Sequence, residues 1–599
     1  MTDSAKARKR TGIPPTWRAL RLSPLSTSTL ALAAVGLAPL FVSGYFASDV
    51  LARAMLLALV ALSLDLAWGY GGILSLGQSA FFGIGAYSVA ILTLRWSWSW
   101  AAPTGVLLAL VLPALLAVIV GWFVFYGASS VLYVAIVTLA LPVLLSAVDL
   151  RIPKITGGLT GLSGVPYFPW DSDTTTFYVL FGVLVAGVAA LHWLVYSDFG
   201  RLLVAVRDNE QRARFLGYRT PAIRLVVFAL SAAIAGLAGA LYAPFNGFVS
   251  YDLLGLTLST NTIVWVALGG RGTIAGPLLG ALIVNILEPT LNRAFPGFWL
   301  LILGLVFIAI ILLFPDGLYG ILRGRRPLGA GLRVVAADAA QAPEGALAIS
   351  VRGLRLSFGS LGVLQGVDLT VATGTLHCLI GPNGAGKSSL INVVTGLLRP
   401  SAGHVAIEEE PLQAGKPDLV ARRRIFRTFQ ASNVFETLTV GDNLLLARGA
   451  GRMASPFRRT AILDIPPAAF RVLELSGLDA KIGERAGELG HGERKWLELS
   501  MVLAAEPAII FLDEPTAGLS AADRNRAGEV LIELVRRHKL GLLLIEHDLD
   551  FVKSIAQRLT VLGNGRILSD GAVAAVIGDP QVQQIYGGVL GEVAEGRGA

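Results

Sequence analysis

The sequence predicts a multi-domain chain in which an α-helical transmembrane domain is followed by a soluble α/β domain. Hydrophobic residues make up 54% of the 599 residues and charged residues only 15%, against about 25% charged residues in an average soluble protein. The first half is a series of long apolar runs, and the second half alternates short β-branched strands with amphipathic helices and glycine turns. This pattern excludes a wholly soluble, a disordered and a disulfide-rich secreted protein.

The transmembrane domain is predicted to occupy residues 28–315. A helix needs roughly 20 apolar residues to cross a bilayer. The runs close to that length are residues 29–46, 54–68, 73–94, 103–125, 131–148, 177–196, 225–243 and 298–315. Residues 256–291 are interrupted at 269–272 and 276–277 by glycine and proline, which favours two short or re-entrant halves over one continuous helix.

The positions of lysine and arginine predict which segments face the cytoplasm. Basic residues are concentrated in an N-terminal arm, residues 1–27, and in the loop 198–224. They are Lys6, Arg8, Lys9, Arg10, Arg18 and Arg21 in the arm, and Arg201, Arg207, Arg212, Arg214, Arg219 and Arg224 in the loop. Trp96, Trp98 and Trp100 are expected at the opposite interface. Because the arm and the soluble domain lie on one side, the number of crossings must be even.

A composition change marks the boundary between the two domains. Residues 316–346 are predicted to be a basic membrane-proximal anchor followed by an Ala/Gly/Pro-rich linker, and the anchor contains Arg323, Arg325 and Arg326. The soluble domain is expected at residues 347–590 and a C-terminal tail at 591–599.

Two motifs in the soluble domain indicate phosphate chemistry. Residues 381–388, GPNGAGKS, form a Walker A loop between a predicted strand at 376–380 and a helix from Ser389. Glycines let backbone N–H groups surround phosphates, Lys387 neutralises the β/γ oxygens and Ser388 ligates Mg²⁺. Residues 509–514, IIFLDE, form an apolar strand ending in two acids. Asp513 is predicted to hold Mg²⁺ and Glu514 to orient or deprotonate the attacking water.

Residues 347–590 resemble the ATP-binding subunit of ABC transporters. Gln430 in RTFQ matches the Q-loop, LGHGE at 489–493 the signature, His547 in IEHD the switch histidine, and Phe358 the adenine-stacking aromatic. The resemblance implies a P-loop ABC ATPase domain, two copies of which close head to tail on ATP, each signature capping the other's nucleotide.

The resemblance and the motifs together give the expected site residues. Glu514, His547 and Gln430 are expected to be catalytic, and Ser388, Gln430 and Asp513 to hold Mg²⁺. The expected ATP contacts are Phe358, Gly381, Asn383, Gly384, Gly386, Lys387, Ser388, Ser389, Leu489, Gly490, His491 and Gly492.

The signature departs from the usual Leu-Ser-Gly-Gly-Gln at Gly490, His491 and Glu493. Loss of the serine hydroxyl and a negative charge at Glu493 would weaken capping. Alternatively, backbone N–H groups at the helix N-terminus do most of the anion binding, and the histidine is a feature of the subfamily. Ser520 stands where many relatives have aspartate, which leaves the cross-dimer contact open as well.

Residues 54–315 resemble the permease subunits of the branched-chain amino acid and urea uptake family. The resemblance is carried by LSLGQSAFFG at 74–83, TGGLTGL at 156–162 and WVALGGRGT at 265–273. VRDNE at 206–210 looks like the coupling segment of that family, a short helix seated in a groove of the ATPase near Gln430. A positive-inside anchor is a simpler account of the same basic loop, and the two interpretations are compatible.

Some details lean toward the urea or short-amide branch of that family. They are DLAWGY at 65–70, GGRGT at 269–273 and Trp496-Leu497-Glu498, whereas QSAF at 78–81 fits both branches. Asp65 lies within an apolar run. It is expected either to face a cavity or partner, because an acid in a bilayer is costly, or to lie near enough to the interface to stay hydrated.

The remaining polar residues are interpreted more plainly. His192 and His377 are expected to be packed or interfacial, and Arg422-Arg423-Arg424 to form a solvated or membrane-facing patch. No stacking platform or recognised fold nearby supports nucleic-acid binding.

Taken together, the sequence predicts a permease fused to its ATPase, an ABC importer subunit of the inner (plasma) membrane that uses ATP and Mg²⁺. Its solute is expected to be a branched-chain amino acid, urea or a short amide. The resemblance implies a second permease subunit, a second ATPase domain, an extracytoplasmic solute-binding protein and membrane lipid as partners. An ABC exporter or lipid flippase, and a membrane-bound regulatory ATPase, are the alternatives.

Overall fold

The computed structural model of the chain consists of two compact units. It describes residues 24–44, 46–96, 99–127, 131–170, 172–313, 317–322, 331–337, 348–413, 415–430, 432–517 and 521–584. One unit, the helical unit, comprises Met1–Val195 and Pro221–Arg326, and the other, the α/β unit, comprises Tyr196–Thr220 and Pro327–Ala599. The basic residues of the N-terminal arm, Trp98, the three arginines of the predicted anchor, Ser520 and the predicted tail lie outside the described residues.

The helical unit contains the predicted apolar segments. Its helices are α1 Pro24–Leu37, α2 Ala52–Leu64, α3 Gln78–Arg95, α4 Ala101–Tyr126, α5 Val131–Arg151, α6 Pro153–Thr156, α7 Asp173–Val195, α10 Thr220–Asn246, α11 Leu256–Gly269, α12 Ala275–Ala294, α13 Trp299–Leu313 and α14 Gly317–Leu322. Helices α8 Asp198–Asp208 and α9 Glu210–Phe215 belong to the other unit. Two short strands, β1 Leu162–Ser163 and β2 Phe248–Val249, pair antiparallel.

Five helices of the described chain are long and apolar enough to cross a membrane. They are Phe46–Tyr70, which extends α2 by a π-helical turn at each end, then Ala101–Tyr126, Leu132–Arg151, Asp173–Val195 and Thr220–Asn246. Helices α3, α4 and α10 pack through small residues. A Cβ at Gly85 would meet the carbonyl oxygen of Gly236, and one at Gly236 would meet that of Ala109. Such close backbone approach is typical of helices that associate in lipid.

The interrupted region after α10 forms two separate helices, as its glycines and proline predict. The first, α11, has 14 residues and the second, α12, has 20, so α11 rises only about 21 Å at 1.5 Å per residue. Residues 270–274 join them without helical structure, and Ile274 has a φ of 55°.

Asp65 stabilises this join rather than staying hydrated at an interface. Its Oδ1 accepts the backbone N–H of Gly272 at 2.5 Å, and its Oδ2 accepts that of Ile274 at 3.3 Å. The residue is buried. Of the two expectations for this acid, a partner is therefore the one observed, and the partner is the backbone of the α11–α12 join.

The α/β unit contains α8 and α9 and the rest of the regular structure. Its helices are α8 Asp198–Asp208, α9 Glu210–Phe215, α15 Lys387–Val394, α16 Pro417–Arg422, α17 Val440–Arg448, α18 Pro467–Ser476, α19 His491–Ala504, α20 Ala521–His538, α21 Leu549–Ile555 and α22 Val573–Ile577. Its strands are β3 Arg333–Ala336, β4 Ala348–Phe358, β5 Leu361–Ala372, β6 Leu376–Ile380, β7 Ala402–Ile407, β8 Glu410–Pro411, β9 Ile425–Arg427, β10 Ile462–Ile465, β11 Ile509–Asp513, β12 Gly541–Ile545, β13 Arg558–Gly563 and β14 Arg566–Ala572.

Two sheets form the core of this unit. The larger has the order β14-β13-β6-β12-β11-β9, parallel except for the edge strand β14, and the smaller is antiparallel with the order β5-β4-β7-β8. Every residue of β6, β11 and β12 is buried, as expected for central parallel strands covered on both faces. Because β6, β12 and β11 are adjacent and parallel, their carboxyl ends meet at one edge of the sheet.

The unit boundaries differ from the expected domain boundaries in two places. Residues 196–220, expected within the transmembrane domain, pack with the α/β unit. Within the predicted linker, β3 forms a parallel pair with β10. The segment 196–220 buries side chains within the α/β unit, whereas β3 is mostly exposed and is held by its pairing with β10. Local composition alone did not reveal where either segment packs.

Candidate functional site

The phosphate-binding loop has the local structure that its glycines require. It follows β6, and α15 begins at Lys387. Gly384 and Gly386 have φ values of 82° and 102°, a region that favours glycine. A Cβ at Gly381 would meet the carbonyl oxygen of Leu562. The backbone N–H groups of the loop and of the first turn of α15 can therefore approach an anion closely.

Lys387 is folded over this loop. Its Nζ donates to the carbonyl oxygens of Gly381 at 2.6 Å and Pro382 at 3.0 Å. Burial lowers the pKa of Lys387, and the negative charges of Glu514 and Asp513 act in the opposite direction. The ammonium group thus lies near both acids of the Walker B strand, where the phosphates of a nucleotide would bring further negative charge.

Glu514 lies between the other two expected catalytic residues. It follows the last residue of β11 and has a φ of 47°. Its Oε2 accepts the amide N–H of Gln430 at 3.0 Å, and its Oε1 lies 2.9 Å from Nε2 of His547. The structure therefore brings all three together, with the carboxylate oriented from both sides as a water-activating base requires.

The three expected Mg²⁺ ligands offer suitable chemistry. Ser388, Gln430 and Asp513 present a hydroxyl, an amide oxygen and a carboxylate, all oxygen donors of the kind Mg²⁺ prefers. The amide nitrogen of Gln430 is used on Glu514, which leaves its oxygen as the acceptor available to a cation. Burial raises the pKa of Asp513, and Arg427, with Nη2 at 3.9 Å, acts in the opposite direction. The residues present fit the ion.

The signature lies at the start of α19, where His491 is the first helical residue and Gly490 the N-cap. The carboxylate of Glu493 accepts the N–H of Gly490 at 2.8 Å and lies 2.6 Å from Nζ of Lys481. The hydrogen bond from Lys481 lowers the pKa of Glu493. Because the charge of Glu493 is paired within its own chain, this geometry favours the interpretation in which backbone N–H groups bind the anion.

Two further expected ATP contacts differ in their exposure. Phe358 is exposed at the end of β4, as an adenine platform would be, whereas Leu489 is buried. Among the described residues, no hydrogen bond or ion pair joins the signature to the phosphate-binding loop.

A second polar centre, not anticipated from the sequence, joins α9 to α19. Arg212 and Glu498 are 1% and 2% exposed, and Nη1 of Arg212 lies 3.3 Å from Oε1 of Glu498. The same Nη1 donates to the carbonyl oxygen of Arg427 at 3.2 Å, and Oε1 of Glu498 accepts the N–H of Phe429 at 3.1 Å. We call this group of contacts the coupling junction, because Phe429 directly precedes Gln430.

Helix α19 also contacts the end of the Walker B strand. Nζ of Lys495 donates to the carbonyl oxygens of Glu514 at 3.2 Å and Ala517 at 2.6 Å. Lys495 and Glu498 are three residues apart and therefore lie on one face of the helix. This face of the signature helix thus contacts the segment 196–220, the Q-loop and the backbone of Glu514.

Burial controls the charges in the coupling junction. It raises the pKa of Glu498 to about 7, although Arg212 lowers it, and it lowers the pKa of Arg212. Burial also lowers the pKa of Arg427 to about 10, and this guanidinium lies over the ring of Phe429 at 4.5 Å. No local pattern indicated this pair, because Arg212 and Glu498 are far apart in the sequence and become neighbours only where α9 packs near α19.

A second buried cluster holds the start of the segment 196–220. Arg201 lies 2.8 Å from Asp198 and 3.0 Å from Asp442 on α17. Asp198 in turn accepts the N–H and hydroxyl of Thr460 at 3.0 and 2.7 Å. Two of the six arginines of the basic loop, Arg201 and Arg212, are therefore buried against the α/β unit. An anchor at the membrane surface does not account for them.

The residues expected to be structural are packed or solvated. His377 is buried beside the hydroxyl of Thr560 at 2.7 Å, and burial lowers its pKa to about 4. His192 is half-buried in α7. Arg422 and Arg423 are exposed, and Arg423 pairs with Glu410. None of these side chains contacts Glu514 or Lys387 among the described contacts.

Comparison with known proteins agrees with this architecture. The family model described as branched-chain amino acid transport system / permease component matches residues 46–311, and the ABC transporter model matches residues 364–517. The high-affinity branched-chain amino acid transport ATP-binding protein LivG of Escherichia coli K12 is 33% identical over 252 residues, which cover 41% of this chain and 98% of LivG.

An archaeal relative and a solved structure match the same part of the chain. The probable branched-chain amino acid transport ATP-binding protein LivG of Methanocaldococcus jannaschii is 34% identical, over 38% of this chain and 93% of its own length. The crystal structure of the ADP conformation of an ATP-binding cassette of an ABC transporter is 31% identical, covers 40% of this chain and 99% of its own chain, and has a TM-score of 0.35. The two family models and the LivG relatives show that the chain belongs to the ABC transporter family, and that it joins a branched-chain amino acid-type permease component to an ATP-hydrolysing ABC domain in one membrane protein.

Proposed function

We propose that the chain couples ATP hydrolysis to the uptake of branched-chain amino acids across the inner (plasma) membrane. The coupling junction is the observation that carries this proposal. Residues 196–220 are joined to α7 at one end and lead into α10 at the other, and their Arg212 is buried against Glu498 of the signature helix. A displacement of α19 on nucleotide binding would therefore move the chain between two long apolar helices.

The chemistry at the nucleotide follows from the residues already described. Lys387 and the backbone of the phosphate-binding loop hold the phosphates, and Phe358 supports the base. Glu514, oriented by Gln430 and His547, accepts the proton of the attacking water. Mg²⁺ held by Ser388, Gln430 and Asp513 would neutralise the developing charge on the phosphates. Leu489, Gly490, His491 and Gly492 are proposed to cap the nucleotide of a second ATPase domain.

The choice of solute rests on the comparisons. Both the permease model and the LivG relatives carry descriptions that name branched-chain amino acids, and none of these descriptions names urea. The DLAWGY motif, which led the sequence analysis toward urea, has a local explanation, because Asp65 binds the backbone of the α11–α12 join. We therefore place leucine-type solutes before urea and short amides.

The proposed assembly contains more than this chain. Two ATPase domains are needed to complete each nucleotide site, so we propose that the chain pairs with a second ATPase domain and a second permease subunit in the lipid bilayer. An extracytoplasmic solute-binding protein would deliver the solute to the permease. Each of these partners follows from the family arrangement.

The proposal is tested by uptake in cells of the source organism. Labelled leucine and labelled urea are supplied side by side to cells that carry either the natural chain or a Glu514→Gln chain. We expect the variant to lose leucine uptake and to retain urea uptake. Loss of urea uptake alone would reverse the choice of solute. Unchanged uptake of both, or faster efflux from cells with the natural chain, would favour a regulatory ATPase or an exporter instead.

A further inference from the structure

A basic and apolar surface loop lies between α17 and β10. Residues 449–460 contain three arginines, Arg452, Arg458 and Arg459, and no acidic residue. All three arginines are exposed, as are Met453 at 57% and Phe457 at 73%. Among the described residues, no acidic side chain forms an ion pair with these arginines. Arg423, in contrast, is exposed but pairs with Glu410. The charge of the 449–460 loop is therefore open to an anion.

One end of this loop contacts the residues that follow a membrane helix. The carbonyl oxygen of Arg458 accepts the N–H of Asp198 at 2.9 Å, and the guanidinium of Arg459 lies 5.9 Å from the ring centre of Tyr196. Tyr196 is joined by a single peptide bond to Val195, the last residue of the apolar helix α7. This end of the loop therefore contacts the residues that directly follow an apolar helix in the sequence.

The other end of the loop contacts the residues that lead into the next membrane helix. A Cβ at Gly217 would lie 3.1 Å from Cα of Gly451. A Cβ at Gly449 would lie at the same distance from the hydroxyl of Tyr218, which donates to the carbonyl oxygen of Leu446 at 2.7 Å. Helix α10 begins two residues after Tyr218. The loop thus contacts both the residues that directly follow α7 and the residues that directly precede α10.

Exposed arginines and an aromatic side chain beside the two segments that lead to apolar helices match the chemistry of a lipid surface. The cytoplasmic leaflet carries anionic headgroups that attract arginine, and aromatic rings settle at the boundary between headgroups and acyl chains. We propose that the 449–460 loop binds anionic phospholipid headgroups, its arginines contacting the phosphates while Phe457 and Met453 enter the boundary region. This binding is independent of which solute the permease carries.

The test uses the full chain in lipid nanodiscs with a photoreactive p-benzoylphenylalanine replacing Phe457. One set of nanodiscs contains phosphatidylcholine alone and the other phosphatidylcholine mixed with phosphatidylglycerol. After illumination, mass spectrometry identifies what is attached to the loop. We expect a phosphatidylglycerol adduct in the mixed nanodiscs. The yield should fall when Arg452, Arg458 and Arg459 are replaced by glutamine, by about fivefold for each arginine.

Two controls separate lipid binding from general effects. The same photoreactive residue in place of the exposed Phe358 should give no lipid adduct, because Phe358 belongs to the proposed adenine site. Arg536→Gln with Arg537→Gln, on α20, removes two charges elsewhere on the same unit and should leave the adduct at position 457 unchanged. An adduct to protein instead of lipid, equal yields from both lipids, or no response to the three glutamines would each overturn the proposal.

Discussion

The guanidinium of Arg212 and the carboxylate of Glu498 are joined at 3.3 Å with almost no exposure of either side chain. Arg212 belongs to the segment between two membrane helices, and Glu498 to the helix that begins with the ABC signature. Because Glu498 also accepts the backbone N–H of Phe429, a movement of the signature helix acts on the Q-loop and on that segment together. This relationship makes the pair a direct target for separating hydrolysis from transport.

Replacing Arg212 by methionine should uncouple the two activities. The variant leaves Glu498 buried without its cation, a loss of about 3–5 kcal/mol when one partner of such a pair is removed. We expect solute uptake to fall at least tenfold while most ATP hydrolysis is retained, with both measured in the same proteoliposomes. The control is Arg214→Met on the same helix, whose side chain is half-buried and donates to the carbonyl oxygen of Gly415. Equal losses of uptake and hydrolysis would contradict the prediction.

The pKa of Glu498 predicts a dependence of stability on pH. Burial raises this pKa to about 7, so between pH 4.5 and 7 the folded state binds more protons at this site than the unfolded state does. The contribution of protonated Glu498 to the stability of the folded state is therefore fully present at low pH and is lost as pH rises through about 7. The unfolding temperature of the natural chain minus that of the Glu498→Gln variant should therefore be largest near pH 5, fall as pH rises, and level off above pH 7. A constant difference between the two across this range would show that the pKa is not raised.

Replacing Glu514 by glutamine should stop hydrolysis without preventing ATP binding. The amide can still contact Gln430 and His547, but it cannot accept a proton from water. We expect the hydrolysis rate to fall about 10²–10⁴-fold, the usual contribution of a general base, while the affinity for ATP stays within a few-fold. Glu506→Gln, at a partly exposed site paired with Arg448, is the matched control. A rate within tenfold of the natural chain would remove Glu514 from its proposed role.

Replacing Asp65 by alanine should loosen the join between α11 and α12. Two backbone N–H groups would lose their acceptor inside the helical unit, and each unsatisfied buried group costs about 1–3 kcal/mol. Thermal unfolding in detergent should show a clear loss for Asp65→Ala, a smaller loss for Asp65→Asn, and almost none for Asp252→Asn, whose side chain is exposed. If both Asp65 variants unfolded at the temperature of the natural chain, the carboxylate would have no structural role.

Lys481 should limit the effect of the negative charge of Glu493 on ATP binding at the signature. Replacing Lys481 by methionine removes the cation that lies 2.6 Å from the Glu493 carboxylate. An unpaired negative charge would then remain beside the N-terminus of α19, where ATP is proposed to bind. We expect the KM for ATP to rise several-fold with a smaller change in kcat. Adding Glu493→Gln to the same chain should restore the KM, because the negative charge is then gone. A double variant as weak as the single one would exclude this electrostatic explanation.

The motifs of the nucleotide site were predictable because they are local. The strand before the phosphate loop was expected at residues 376–380, and β6 occupies those positions. The strand expected to end in Asp513 and Glu514 ends at Asp513. The glycines and proline of residues 256–291 predicted an interruption, and two separate helices, α11 and α12, lie there. In each of these cases the residues that form the motif lie close together in the sequence.

The coupling junction could not be predicted in the same way. Arg212 and Glu498 are 286 positions apart in the sequence, and each alone has a plain interpretation, a positive-inside arginine and an exposed helical glutamate. Only the packing of α9 against β9 and α19 shows that both are buried. The pairing of β3 with β10 was missed for a related reason, since RVVA within an Ala/Gly/Pro-rich stretch is too short to indicate a strand without its neighbour.

Three peptide bonds connect the two units, at residues 195–196, 220–221 and 326–327. A protease that cuts only in the region 316–346 would therefore leave the ATPase attached, since the segment with Arg212 still belongs to the membrane polypeptide while being folded into the other unit. Splitting the gene at that point would be expected to give two products that recognise each other through this embedded segment. In the fused form, every permease domain is synthesised together with its own ATPase domain, in fixed proportion.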